Sequence, residues 1–350
     1  MAKKKIVKKK ESDRSTLHID NFLIPAGQLE EKQGRIFPVC VGLDIALSGG
    51  IPEGTNVLLT GKPKVGKTTV ALQYVQQCHR RDDSKQVFFF DVEGRLRSEL
   101  LDCFPDINRD NFNIIRSNEE RLLTAENYID FIFESLRTHP KCIVIVDSVA
   151  ALCPEAEMNQ QVGESLKLAT VATLMYKMFR KASQILAVNH STLILLTHMV
   201  SNPSPMSKNT MTVGGNANQY GATVWLEFPW KENLEDTDKN TIGQLINTTV
   251  QASALGAPGA KLKLPLIYGE GVHELTDVFN HAVDFGLIEK AGSWYSYMPE
   301  GEEEAFKTQG AGSMVDHLAE HPEIAKYLES EIRKMTGCEI DESEITETAA

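Results

Sequence analysis

A chain of 350 residues, 42% hydrophobic and 24% charged, has ordinary globular composition. It has room for two or three domains and needs no disulfide or metal staple to hold a core, which excludes collagen-like, low-complexity and wholly disordered chains. Lys and Arg total 36 against 48 Asp and Glu, a net charge of −12, and this balance speaks against a protein that coats nucleic acid by bulk charge.

The charge is uneven. The first ten residues, MAKKKIVKKK, carry six lysines, and 339–350, EIDESEITETAA, carry five acids; both read as solvated tails. No apolar stretch follows the lysines, so they do not form a secretory signal. No run approaches 18 apolar residues, so no membrane span is expected. The six cysteines form no CxxC pair and read as reduced thiols of a cytoplasmic protein.

In chain order, the apolar run Asn56–Thr60 is followed by a helical pattern over Lys67–Arg80 and by the run Gln86–Asp91. Next come Asn113–Arg116, a helix over Thr124–Thr138, the run Cys142–Asp147, a helix over about Ser165–Val188 and the run Ser191–Thr197. Unalternated apolar runs of this length suit strands buried on both faces. Alternated with helices, they predict an α/β fold: a mainly parallel twisted sheet flanked by helices. Met199–Asn216 is polar and rich in Ser, Asn, Pro and Gly, and reads as a long loop of the kind that is either functional or disordered. Strand-like runs follow at Ala222–Phe228 and Lys261–Ile267. From about Thr276 the chain reads as a small separate α+β domain with a helix, the strand WYSYM (294–298) and a charged helix near Pro322–Met335.

Gly61-Lys62-Pro63-Lys64-Val65-Gly66-Lys67-Thr68 matches GxxxxGK[ST] between a strand and a helix. The chemistry demands this arrangement: glycines let backbone N–H groups close around phosphate oxygens, and the helix N-terminus favours their charge. Lys67 is placed to reach the β- and γ-phosphates of ATP and Thr68 to ligate Mg²⁺. Asp147 ends the strand CIVIVD, where an acid falls beside such a loop and holds the metal through water. Glu93 follows QVFFFD in the same way, where a carboxylate activates an attacking water. His198 follows STLILLT at the start of the polar stretch, where an imidazole could touch the γ-phosphate.

These residues, in this order, resemble the RecA recombinase family. The likeness extends to GLDIALSGGIPEG (42–54), VDSVAALCPEAE (146–157), VGGNANQYGATV (213–224), IYGEGV (267–272) and LIEKAGSWYSY (287–297), and covers about 34–350. It implies a basic arm and oligomerisation segment over 1–33, a RecA-like ATPase core over 34–274, a small C-terminal domain over 275–337 and an acidic tail over 338–350. It implies a helical head-to-tail filament on single-stranded DNA that exchanges strands with duplex DNA and hydrolyses ATP with Mg²⁺. Further partners it implies are a single-strand-binding protein and a loader.

By the same resemblance, Thr69 and Tyr268 join the ATP site, and Glu93, Lys67 and His198 carry catalysis. Two loops, about Glu157–Leu166 and Met199–Gly215, meet DNA. In the first these residues are Gln160, Gln161, Val162, Gly163, Glu164 and Ser165. In the second they are Met199, Ser201, Asn202, Met206, Ser207, Lys208, Asn209, Thr210, Met211, Thr212, Gly214 and Gly215. His198 stands where bacterial RecA has glutamine, as in the UvsX recombinases of T-even-like phages, and so points to a phage-encoded protein in the host cytoplasm.

Two departures matter. The lysines that RecA proteins extend to the neighbour's ATP fall, by ungapped register from Tyr268, on Ala252 and Ala254, with Lys261 and Lys263 out of register. Leu100 falls where an aromatic base platform is usual. Absent trans cations would weaken charge stabilisation at the transferring phosphoryl group. This leaves a second reading, an ATP-gated DNA-binding filament or mediator with little hydrolysis, and a third, a ring-forming helicase motor, which the LIEKAGSWYSY segment disfavours.

Overall fold

The computed structural model describes residues 23–26, 34–159, 169–201, 210–212, 221–235, 239–298 and 304–340. The lysine-rich arm, the acidic tail from 341 and, of the residues expected to meet DNA, 160–165, 202, 206–209, 214 and 215 lie outside them. The chain divides into Met1–Gly34 and Arg35–Ala350. The first unit is described only at 23–26 and at Gly34.

The elements of the second unit run β1 (Ile36–Phe37), α1 (Val41–Leu47), β2 (Ile51–Pro52), β3 (Asn56–Gly61), α2 (Lys67–His79), β4 (Val87–Asp91), α3 (Ser98–Asp102), β5 (Phe112–Ile115), α4 (Ala125–Thr138), β6 (Ile143–Asp147), α5 (Glu155–Met158) and α6 (Ala169–Asn189). Then come β7 (Thr192–Ser201), β8 (Thr210–Thr212), β9 (Val224–Glu235), β10 (Thr241–Ala252), β11 (Lys261–Ile267), β12 (Gly271–Val272), α7 (Glu274–Asp284), β13 (Glu289–Ala291), β14 (Trp294–Tyr297), β15 (Phe306–Gln309), α8 (Ala311–Glu320) and α9 (Pro322–Thr336).

The main sheet has the order β12-β11-β10-β9-β3-β7-β6-β4-β5, with β8 on β7. From β9 to β5 all pairs are parallel, and β10, β11 and β12 extend the sheet antiparallel. The apolar runs are continuous because both faces are covered. Val57 and Leu59 of β3 join the core under α2, with Val70, Ala71, Tyr74, Val75 and Cys78. Leu58, between them, joins the opposite core with Tyr128, Ile132 and Leu136 of α4 and Met175, Met178 and Phe179 of α6. Helix α4 starts where Thr124 accepts from the Asn127 N–H and Asn127 accepts in return from the Thr124 N–H, a reciprocal cap.

The polar stretch from Met199 is not loop throughout. β7 runs to Ser201 and β8 returns against it, pairing Met199 with Thr212, Val200 with Met211 and Ser201 with Thr210. The β-branched Val200, Thr210 and Thr212 suit a ladder, which the surrounding Ser, Asn and Pro conceal. β10 is a strand that no apolar run announces. It buries Gln244, Ile246, Thr248 and Val250 in alternation, and two polar members of that set hide the period.

Gly61 is the residue where β3 leaves the sheet. A Cβ there would lie 2.5 Å from the Phe228 carbonyl oxygen of β9, so only glycine permits this backbone approach. Gly61→Ala should push β3 from β9 and cost about 1–3 kcal/mol, read as a lower urea midpoint at unchanged slope.

The small domain has its own core of Val278, Phe279, Tyr295, Met314, Leu318, Leu328 and Ile332, and α1 enters it through Val41. Its sheet is β13-β14-β15, antiparallel. Two buried acids secure the junction. Asp44 Oδ1 accepts the Val39 N–H at 2.7 Å and its Oδ2 accepts from Arg333 of α9 at 2.9 Å. Asp277 of α7 accepts the Gly42 N–H at 2.9 Å. Burial pushes the Asp44 carboxyl up to about 7 against the pull of Arg333 and the Val39 N–H.

The folded-state value therefore lies above the ordinary 3.8, and the folded chain keeps this proton longer than the unfolded one. The stability it contributes is present below about pH 4 and is lost as pH rises towards 7. Asp44→Asn should flatten this part of the curve, so the variant gains on the parent between about pH 4 and 7 in urea unfolding.

Candidate functional site

The parallel strands end side by side. In register, Gly61 of β3 pairs with His198 of β7, and Asp91 of β4 pairs with Asp147 of β6. A crevice beyond the carboxyl ends of such strands is where this architecture places ligands. Here it is a cleft of about 400 Å³. Pro63–Thr69 form one wall, and Glu93, Asp147 and His198 lie at its floor. Leu96, Leu100 and Tyr268 are also among its lining residues.

The loop from 62 to 66 turns through left-handed backbone at Lys64 (φ 58°) and Gly66 (φ 96°) before α2 begins. Lys67 is buried. Its ammonium donates to the carbonyls of Gly61 (3.1 Å) and Lys62 (2.8 Å) and lies 3.4 Å from His198 Nδ1. Burial lowers its pKa to about 8, against the pull of Asp147 and Glu93. Thr68 Oγ1 donates to Asp147 Oδ2 at 2.7 Å, and burial holds the Asp147 carboxyl above its ordinary value despite that bond. A hydroxyl and a carboxylate in contact at the start of a helix are a hard oxygen pair that fits Mg²⁺, which takes few protein ligands and keeps several waters.

Glu93 lies just past β4. Its Oε1 accepts from Ser148 Oγ at 2.6 Å and lies 3.2 Å from His198 Nε2, while its Oε2 meets Arg95 at 2.7 Å. Burial raises its pKa, but the bonds from Ser148 and His198 and the Arg95 charge outweigh it, so the carboxylate sits below its ordinary range. The imidazole of His198 thus stands between Lys67 and Glu93, and its own strand continues into the β7–β8 ladder.

Of the residues read from sequence as ATP-binding, metal-holding or catalytic, Pro63 to Thr69, Glu93, Asp147, His198 and Tyr268 line one crevice, and Gly61 and Lys62 are joined to it through their carbonyls on Lys67. Tyr268 is half-exposed on the rim formed after β11, and Leu100 lines the cleft from α3. Of the residues expected from sequence to meet DNA in the second loop, Met199, Ser201 and Thr210–Thr212 lie on the β7–β8 ladder. Of the expected first loop, Glu157 and Met158 close α5.

Several contributors carry no motif of their own. Asp91 accepts the N–H groups of Arg95 and Leu96 at 2.9 and 3.2 Å and so shapes the turn carrying Glu93. Lys231 of β9 donates to the Lys64 carbonyl at 3.0 Å and to Gln244 of β10 at 2.5 Å, bracing the glycine-rich loop from the antiparallel side. Ser148 is signalled only by its position next to Asp147; nothing local signals Lys231 or Gln244. Ala252 ends β10. Lys263 is engaged by Glu232 at 2.7 Å, and neither it nor Lys261 lines the cleft.

A glycine-rich loop joining a central parallel strand to a helix, with acids at the neighbouring strand ends, defines a phosphate-binding-loop α/β protein. Comparison with known families narrows this. The RecA N-terminal domain matches residues 23–273 and the RecA C-terminal domain residues 276–337; the chain belongs to the RecA family. It is 29% identical over 333 residues to the protein RecA of Petrotoga mobilis, covering 94% of this chain and 87% of the relative. It is 28% identical over 315 residues to that of Nitratiruptor sp., covering 88% and 87%.

Proposed function

We propose that this chain is an ATP-dependent recombinase. It forms a helical filament on single-stranded DNA, pairs it with homologous duplex DNA and exchanges strands, with ATP hydrolysis coupled to bound DNA. The observation that carries the reading is His198. It contacts both Lys67 and Glu93 and belongs to the strand that, one residue later, enters the β7–β8 ladder. A group that senses the terminal phosphate is thereby continuous with the segment that meets DNA, which is what nucleotide-gated DNA binding requires.

The division of labour follows. The backbone N–H groups of residues 62–69 and the Lys67 ammonium cradle the phosphates of ATP, Lys67 exchanging its two carbonyl partners for phosphate oxygens. Thr68, and Asp147 through water, hold Mg²⁺, which when bound neutralises charge on the β- and γ-phosphates. Glu93, kept ionised by Ser148, His198 and Arg95, orients and deprotonates the attacking water. Tyr268 and Leu100 offer apolar surface to the base.

The DNA surface comprises the two loops, 157–166 and 199–215. Their side chains are basic only at Lys208, so backbone N–H groups and hydroxyls supply most phosphate contacts. The small domain and acidic tail repel DNA near the filament groove, the basic arm serves assembly, and the UvsX-like histidine fits a phage-encoded origin. A single-strand-binding protein and a loader complete the proposed partners. Among the described residues no helix is long and apolar enough to cross a membrane.

A second reading has its own support. Ala252 and Ala254 replace the family's trans lysines, and Lys263 is held by Glu232. Both favour an ATP-gated filament or mediator with little turnover. Steady-state ATP hydrolysis with and without single-stranded DNA separates the two. The recombinase reading expects DNA-stimulated turnover; an unchanged basal rate supports the second.

A further inference from the structure

The small domain carries a constellation unrelated to the nucleotide cleft. His317, Glu320 and His321 close α8, at i, i+3 and i+4, a spacing that stacks side chains on one helix face. One ligand atom from each lies within 4.8 Å of the others. The imidazoles are adjacent, with ring centres 4.4 Å apart, and the His321 N–H closes the helix on the His317 carbonyl at 3.0 Å.

Neighbours fix both rings. His317 stacks on Phe306 of β15, with ring centres 3.7 Å apart and planes within 9°. Its Nε2 shares a hydrogen bond with the Tyr297 hydroxyl of β14 at 3.1 Å. His321 Nδ1 shares one with Glu323 Oε1 at 3.2 Å. Each imidazole therefore has one nitrogen oriented by an oxygen partner and a second nitrogen left to coordinate, as outer partners fix metal-ligating histidines. The solvent-facing Glu320 supplies the carboxylate.

We propose that His317, Glu320 and His321 form a Zn²⁺ site at the α8–α9 corner. Two imidazoles and one carboxylate suit a borderline divalent ion, and they disfavour Mg²⁺ and Ca²⁺, which take oxygen ligands. Three protein ligands leave a position for solvent. Bound there, the ion ties the α8–α9 corner, through the rings it holds, to the β14–β15 hairpin, and stiffens the small domain independently of ATP.

The test is Zn²⁺ titration of the full-length protein, stripped by chelator and read by competition with a chromophoric chelator. Co²⁺ absorption serves as the spectroscopic signature. The expected result is one equivalent bound, with a visible Co²⁺ spectrum. Glu320→Gln and His321→Ala should lose it, and Tyr297→Phe, which removes only an orienting bond, should weaken it about tenfold. Glu320 is exposed, so its variant keeps the fold even if loss of a ring does not. Absence of a tight equivalent in the parent protein, or an equivalent that persists undiminished in Glu320→Gln and His321→Ala, for example on the cysteines, overturns the site.

Discussion

Glu93→Gln should lower ATP turnover by about 10²–10⁴-fold, the usual worth of a positioned general base, while nucleotide binding and filament assembly persist. The variant keeps a side-chain carbonyl to accept from Ser148, now 2.6 Å from Glu93, so the floor of the cleft holds its shape. It loses the charge that faces Arg95 and the basicity that a water-activating role needs. Lys67→Ala is the contrasting case. It removes the ammonium held by the Gly61 and Lys62 carbonyls, and both binding and turnover should fall. Single-turnover hydrolysis beside a nucleotide-binding isotherm distinguishes them. Normal hydrolysis by Glu93→Gln would place the base elsewhere.

Above pH 7, where Asp44 is ionised in the parent, Arg333→Ala is expected to cost about 3–5 kcal/mol of stability, because it leaves a buried acid without its cation. The Arg333 and Asp44 side chains are only 8% and 0% exposed, and Arg333 is fixed further by Glu329 at 2.8 Å. The pair joins α1 of the core to α9 of the small domain. Adding Asp44→Asn to Arg333→Ala should recover part of the loss, since the stranded carboxyl is then neutral. Urea unfolding of the two singles and the double closes the cycle. A loss below about 1 kcal/mol for Arg333→Ala, the level of an exposed pair, would show that the junction does not depend on it.

What was legible in the sequence was local or periodic. Gly61–Thr68 is contiguous, and its strand and helix announce it. Asp147 and Glu93 are marked as acids closing apolar runs, and the folded sheet brings those runs' ends together. The sheet itself was legible because residues such as Leu58 between Val57 and Leu59 are apolar for two separate cores. What escaped was either long-range or masked by polarity. Asp44 and Arg333 are 289 residues apart, and nothing local marks either as buried. Lys231 and Gln244 brace the loop through pairing of β9 with β10, a strand whose buried face includes Gln244 and Thr248. β8 is three residues in a Ser- and Asn-rich stretch. His317 and His321 look like surface residues until α8 and the hairpin orient them.

In the proposed filament the net charge of −12 gains a physical meaning. An acidic protein that binds DNA must do so through a narrow surface repeated along an assembly and switched on by nucleotide, because bulk attraction works against it.

Strand exchange is the activity on which the recombinase reading stands, and a fluorescence strand-transfer assay measures it directly. Protein assembled with ATP and Mg²⁺ on single-stranded DNA is mixed with a homologous duplex labelled so that displacement separates donor and quencher. The expected displacement requires nucleotide and homology and disappears with Lys67→Ala. Protein that binds single-stranded DNA yet displaces no strand from the homologous duplex, at any nucleotide concentration, would refute strand exchange by this chain.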